Sequence, residues 1–251
     1  MVLLHGLGDS SDLWRHQVPV LSRRHRTVAL DLRGHGRSPL GEPTFDLGAM
    51  AADVRATLSG LGITRAVVAG LSMGGGVAQA LALRDPALVR ALILVSTSSE
   101  FREATRRRFL DRALTAEREG MASVVDATVA RWFTPRFAAA HPDEVERTRL
   151  GVLRTSPAAF GAASRANAAR HFTDDLPSIT CPVLFIGGTA DPADPNRALE
   201  IYRRSLPDLR AELIPDASHL VPVEAASAFN TILLRFLHEV GPSPVQLGGL
   251  Q

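Results

Sequence analysis

Residues 66–81 read A-V-V-A-G-L-S-M-G-G-G-V-A-Q-A-L, an apolar run that passes through one serine into three glycines and an alanine-rich segment. Gly70-Leu71-Ser72-Met73-Gly74 therefore has G-x-S-x-G spacing between a predicted strand and a predicted helix. At so sharp a turn the serine adopts strained backbone angles, and bulky neighbours two positions either side would collide; glycines at 70 and 74 remove that clash. The pattern points to an exposed nucleophile, Ser72. The next helix aims its N-terminus at the same place, so the Met73 amide can donate to developing negative charge. A plain tight turn or a phosphate-cradling loop would use similar residues, but a dinucleotide loop needs G-x-G-x-x-G directly after the first strand. That junction instead reads His5-Gly6-Leu7-Gly8, which makes the Leu7 amide available as a second donor to one oxyanion.

A serine hydroxyl is a poor nucleophile without a base, and the base needs an acidic group to orient it. Candidates occur in the order Ser, Asp, His. After the apolar run P-V-L-F-I come Gly187-Gly188-Thr189-Ala190-Asp191-Pro192-Ala193-Asp194, and after A-E-L-I come Pro215-Asp216-Ala217-Ser218-His219. Asp191 lies early in its loop and is the preferred acid, while Asp194 directly precedes a helix and fits an N-cap. Of eight histidines, His219 alone occupies the loop after the final strand. His5 is read as orienting the loop that carries the Leu7 amide, His35 as shaping a turn, and the others as surface residues. No histidine and carboxylate set has metal-ligand spacing, so no metal or cofactor is expected.

The elements that must position these residues are visible as alternating patterns. Short apolar runs at 2–4, 27–30, 66–69, 91–95, 182–186 and 211–214 have the look of buried parallel strands. Helical patterns fall near 12–23, 46–60, 74–84, 195–205 and 223–239. Such alternation predicts a doubly wound α/β sheet with ligand chemistry at the carboxyl ends of its strands. Between 99 and 177 the alternation gives way to helical segments alone, read as a lid inserted into a core formed by 1–98 and 178–240. Residues 241–251 have few packing groups and are expected to be a flexible tail.

Composition narrows the function classes. All 28 basic residues of this 251-residue chain are arginine, which excludes Schiff-base chemistry and a P-loop lysine. The clusters Arg23-Arg24-His25-Arg26 and Arg106-Arg107-Arg108 have no interleaved aromatics, so neither a nucleic-acid nor a membrane partner is expected. There is no secretory leader pattern, and no apolar run approaches the roughly 20 residues a bilayer requires. The single cysteine, Cys181, sits in an apolar run and reads as a small packing residue. A soluble protein in the cytoplasm fits these features.

Together, H-G-L-G, D-L-R-G-H-G-R-S, G-L-S-M-G-G, G-G-T-A-D-P and A-S-H-L-V-P-V-E resemble the α/β-hydrolase superfamily in its serine-hydrolase branch, over nearly the whole chain. The resemblance implies an eight-stranded, mostly parallel sheet and cofactor-free acyl transfer by Ser72, His219 and Asp191, with Leu7 and Met73 as oxyanion amides. The family pattern places two strands ahead of H-G-x-G, whereas this chain opens M-V-L-L-H-G. Those first two strands are therefore expected to be absent, leaving the 27–30 strand at a sheet edge. Within the superfamily, G-L-S-M-G-G-G-V-A-Q and R-W-F-T-P-R-F at 131–137 look similar to 3-oxoadipate enol-lactonases and esterase-like relatives. That likeness implies a small ester or lactone substrate and an arginine, Arg131 or Arg136, for a substrate carboxylate, while Trp132 and Phe133 read either as pocket residues or as helix-packing core. Ser72 argues against dehalogenase and epoxide-hydrolase chemistry, which use an aspartate there. Carbon-carbon bond hydrolysis and perhydrolysis use the same triad and stay open, as does a hydrolase-fold ligand receptor with negligible turnover.

Overall fold

The computed structural model describes residues 1–241, so the tail expected at 241–251 lies outside the described residues from 242 onward. In chain order the elements are β1 (Val2–Leu4), α1 (Val18–Leu21), β2 (Val28–Leu30), α2 (Leu47–Gly60), β3 (Ala66–Leu71), α3 (Met73–Arg84) and β4 (Val89–Val95). Five helices come next: α4 (Glu103–Glu119), α5 (Ala122–Val129), α6 (Pro135–Ala140), α7 (Pro142–Leu153) and α8 (Pro157–Ala168). The chain closes with β5 (Val183–Gly188), α9 (Pro195–Ser205), β6 (Leu209–Ile214), α10 (Val221–Glu224) and α11 (Ala226–Glu239).

All six strands are parallel, in the order β2-β1-β3-β4-β5-β6. Among the described residues the sheet has six strands, with β2 at one edge, as expected of the 27–30 strand, and β1 between β2 and β3. β3 and β5 are buried at every position, which is why they appear as unbroken apolar runs rather than alternating ones. Parallel register brings the carboxyl ends of β1, β3, β4, β5 and β6 to one edge, where the loops carrying Leu7, Ser72, Asp191 and His219 all begin.

Two expected helices are broken. The pattern at 12–23 resolves into a 3-10 turn at Ser11–Trp14, capped by the Ser10 side chain, and the short α1 with Pro19 in its first turn. Proline has no N–H to donate, so it starts a helix rather than continuing one. The pattern at 223–239 divides at Ala225, whose φ of −123° separates α10 from α11. Between β4 and β5 the chain is helical as expected, and α4 packs against α8. Its two ends meet in a narrow neck: Glu100 and His171 form an isolated antiparallel bridge. Phe172 N–H donates to the Ser99 carbonyl at 3.0 Å, and the Ser99 and Thr173 hydroxyls lie 2.8 Å apart. Among the described residues no helix is long and apolar enough to cross a membrane.

Candidate active site

β3 runs directly into α3 through Ser72, which has φ 53° and ψ −108°. A non-glycine residue in this region carries strain of about 1–3 kcal/mol and persists only where its surroundings fix it. Here they do. Ser72 N–H donates to the Val95 carbonyl at 2.9 Å, extending the β3–β4 ladder by one bond beyond the strand. A Cβ on Gly70 would stand 2.1 Å from the Gly74 carbonyl oxygen, and one on Gly74 would stand 2.4 Å from that of Leu4. The G-x-S-x-G glycines are needed because the first turn of α3 passes against main chain on both sides.

The other two loops are locked by unusual backbone positions. Asp194 sits at φ 61° as the N-cap of α9, its carboxylate accepting from Arg197 N–H at 3.1 Å. Asp191 is instead the group that meets His219: its Oδ2 lies 2.8 Å from His219 Nδ1, and its Oδ1 accepts Ala193 N–H at 2.8 Å. The Asp191 side chain is 2% exposed and that of His219 12%. A carboxylate can only accept, so Nδ1 carries the ring proton and Nε2 keeps its lone pair. The His219 loop lies tight against β5, where a Cβ on Gly188 would stand 2.1 Å from the Ala217 carbonyl oxygen.

Ser72, Asp191, His219 and Leu7 line one cavity of about 390 Å³. The Leu7 and Met73 amides have no hydrogen-bond partner among the described residues. His5, fully buried, donates from Nδ1 to the Gly6 carbonyl at 2.7 Å and accepts Leu32 N–H at Nε2. Burial pulls its pKa down to about 3, so it stays neutral and holds the Leu7 loop. His35 turns its Nδ1 to the Arg33 carbonyl at 2.9 Å, inside the tight turn expected of it.

Trp132 and Arg131 line the cavity, but Phe133 does not. Phe133 is buried and stacks on Phe137 with ring centroids 5.2 Å apart, because the turn after α5 sends consecutive side chains in different directions. Arg136 is exposed and also lies away from the cavity. Arg108 and Arg112 from α4 join Arg131 in the wall, and none of the three forms an ion pair among the described residues. Burial, then the neighbouring Arg131 and Arg108, brings the Arg112 guanidinium down to about 10; burial and Arg108 also lower Arg131.

Three further groups carry no motif that marks them in the sequence. Asp9 lines the cavity beside the Leu7 loop, and burial raises its carboxyl to about 7 against the Ser10 N–H bond that it accepts at 2.7 Å. Its place directly after H-G-L-G was the available signal. Glu224 accepts from Ser218 N–H at 2.8 Å and Thr134 N–H at 3.0 Å, and also bonds the Thr134 hydroxyl. Arg170 and Thr97 meet at the Ser72 carbonyl. No group of three or more potential metal ligands occurs among the described residues.

The α/β-hydrolase fold family model matches residues 1–226, and the chain belongs to that family. It is 30% identical over 240 residues to 3-oxoadipate enol-lactonase 1 of Acinetobacter baylyi, covering 96% of this chain and 89% of that one. Two solved structures superpose with a TM-score of 0.90 at 30% identity. One is a thermophilic esterase from Thermogutta terrifontis with malate bound, covering 95% of this chain and 89% of that one. The other is the enol-lactonase from Burkholderia xenovorans LB400, covering 94% and 90%. Esterase and lactonase lie equally near, so similarity alone does not choose the substrate.

Proposed function

We propose that this α/β hydrolase cleaves a small ester or lactone with Ser72 as nucleophile, His219 as base and then acid, and Asp191 as its orienting partner. The single observation that carries the reading is the buried 2.8 Å Asp191–His219 contact opening onto the same cavity as the strained Ser72. Ser72 Oγ attacks the carbonyl carbon while His219 Nε2 takes its proton. The tetrahedral oxyanion accepts from the Leu7 and Met73 amides. Collapse breaks the bond to the leaving oxygen, which receives that proton from His219, and a water activated by the same nitrogen releases the acid. In this reading the helices within 99–177 form a lid over a core of 1–98 and 178–240.

The substrate is proposed to carry a carboxylate, such as an enol-lactone that bears one beside its ring. Three arginines without carboxylate partners in one wall favour an anion, since a guanidinium pairs a carboxylate bidentately. Intact mass after a fluorophosphonate probe tests the mechanism: one adduct in the wild type, none in Ser72→Ala and little in His219→Ala. An unlabelled, folded wild type would overturn it in favour of a ligand receptor. A panel of neutral and carboxylated esters and lactones tests the substrate class. Equal kcat/KM for matched neutral and anionic pairs would remove the arginine argument.

A further inference from the structure

The carbonyl of a residue that starts a helix ordinarily accepts one bond, from the N–H four positions on. Ser72 O accepts that bond from Gly76 at 3.2 Å and two more: from Thr97 Oγ1 at 2.6 Å and from Arg170 Nη1 at 3.1 Å. Arg170 Nη1 also donates to Thr97 Oγ1 at 2.8 Å. The proton count closes, with two N–H groups from Nη1 and one O–H from Thr97 forming a triangle on one side of a single peptide group.

Arg170 is 4% exposed and forms no ion pair among the described residues, and its Nε has no hydrogen-bond partner there. Its guanidinium lies over the Phe101 ring, 4.2 Å from the centroid. Burying a guanidinium without a carboxylate is costly, and burial pulls this one down to about 10. The residue therefore serves something other than simple packing. The peptide it holds is the one between Ser72 and Met73. Its carbonyl side helps set the strained conformation that presents Ser72 Oγ, and its N–H side is the oxyanion donor of the proposed mechanism. Hydrogen bonds accepted by a peptide oxygen polarise the group and strengthen its N–H as a donor. Arg170 also stands two residues past the end of α8, in the neck where Phe172 and His171 join Ser99 and Glu100.

We infer that Arg170, acting with Thr97, is a positioning residue that fixes and polarises the Ser72–Met73 peptide, tying the nucleophile and one oxyanion donor to the closed neck of the helical segment. The inference rests on the reading of Ser72 as nucleophile. Its test compares Arg170→Met, Arg170→Lys and Thr97→Val with the exposed-site control Arg107→Ala. The readouts are the second-order rate of fluorophosphonate labelling, kcat and KM on a p-nitrophenyl ester, and the thermal midpoint.

Arg170→Met is expected to slow labelling and kcat by about 10- to 100-fold, the scale of one charge-assisted hydrogen bond to the reacting apparatus, with KM within about threefold. Lysine, which can donate to the same carbonyl, should recover part of the loss, and Thr97→Val should slow labelling by about three- to tenfold. Labelling and kcat within about threefold of wild type in folded Arg170→Met would overturn the inference. So would a loss carried by KM, or one explained wholly by a smaller folded fraction. If Arg170→Met does not fold, Thr97→Val decides: labelling slowed about threefold or more with KM unchanged supports the inference, and labelling indistinguishable from wild type overturns it. A wild type that takes no adduct is a different failure, that of the nucleophile itself.

Discussion

Asp191→Asn keeps the shape of a side chain that is 2% exposed and removes its charge. The neighbouring donors dictate how the new amide must lie. Oδ1 accepts Ala193 N–H at 2.8 Å, so the amide oxygen must stay on that side and the new NH₂ group must face His219 Nδ1. Nδ1 then has to accept, the ring proton moves to Nε2, and the nitrogen that should receive the Ser72 proton already carries one. Flipping the amide restores the tautomer only by setting its NH₂ against Ala193 N–H, at a cost of about 1–3 kcal/mol for a buried lost bond. Asp-to-Asn replacement in other serine hydrolases with this arrangement costs about 10⁴-fold in kcat, which corresponds to about 5 kcal/mol of transition-state stabilisation. The same loss is expected here, measured as kcat on a p-nitrophenyl ester at neutral pH beside the thermal midpoint. An Asp191→Asn enzyme within tenfold of wild type would refute the reasoning, as would a larger activity loss in Asp194→Asn.

Two further outcomes concern stability. Gly74→Ala would place a methyl group 2.4 and 2.5 Å from the Leu4 and His5 carbonyl oxygens, buried main chain that cannot yield. A destabilisation above about 2 kcal/mol is expected by urea titration, whereas Gly60→Ala, with nothing within 4 Å, should stabilise α2 by about 0.5–1 kcal/mol. The second outcome is pH-dependent. His5 falls from 6.5 to about 3 on folding, so only the unfolded chain holds its proton between those values, and its contribution is lost as pH falls below 6.5. Asp9 rises from 3.8 to about 7, so only the folded chain holds its proton there, and its contribution is lost as pH rises towards 7. The two slopes oppose each other between pH 4 and 6.5. Asp9→Asn removes one of them, and its unfolding free energy should fall with acidification about 1.4 kcal/mol per pH unit more steeply than wild type in that window. Parallel curves would show that Asp9 does not titrate there.

The strands and the residues just after them were legible because one cause produces both signals. A strand buried on both faces is an apolar run, and its carboxyl end is marked where glycine and polar residues begin, as at Gly70 in β3 and Gly188 in β5, whereas the edge strands β2 and β6 are only partly buried. Asp194 was separable from Asp191 because a cap adjoins its helix. What stayed hidden depends on partners far away in the chain. Arg170 reaches Ser72 across 98 positions and Glu224 reaches Thr134 across 90, each through main-chain or hydroxyl atoms that leave no spacing to read. Phe133 turns to the packing core and Trp132 to the cavity, a choice the sequence leaves open because in a turn no periodicity tells which of two adjacent aromatics faces the cavity. The break at Ala225 arises from backbone angles that the apolar pattern across 223–239 conceals.

The distant contacts are not spread evenly. On the base side, Glu224 binds the Ser218 and Thr134 amides, and Leu220 N–H donates to the Trp132 carbonyl at 3.1 Å, so main chain near Trp132 is joined to main chain near His219. On the nucleophile side, Arg170 binds the Ser72 carbonyl. α4 buries only Ala113 and Ala116 among its 17 residues and packs against α8 and α5. Arg112 is tied into this packing, donating to the Thr128 hydroxyl at 2.7 Å and lying over the Phe160 ring, whereas Arg108 is exposed and donates only to Thr105 one turn earlier on the same helix. A change at Arg112 must therefore disturb α5 or α8, the helix that leads to Arg170, while a change at Arg108 alters the charge of the cavity wall and leaves both moorings in place.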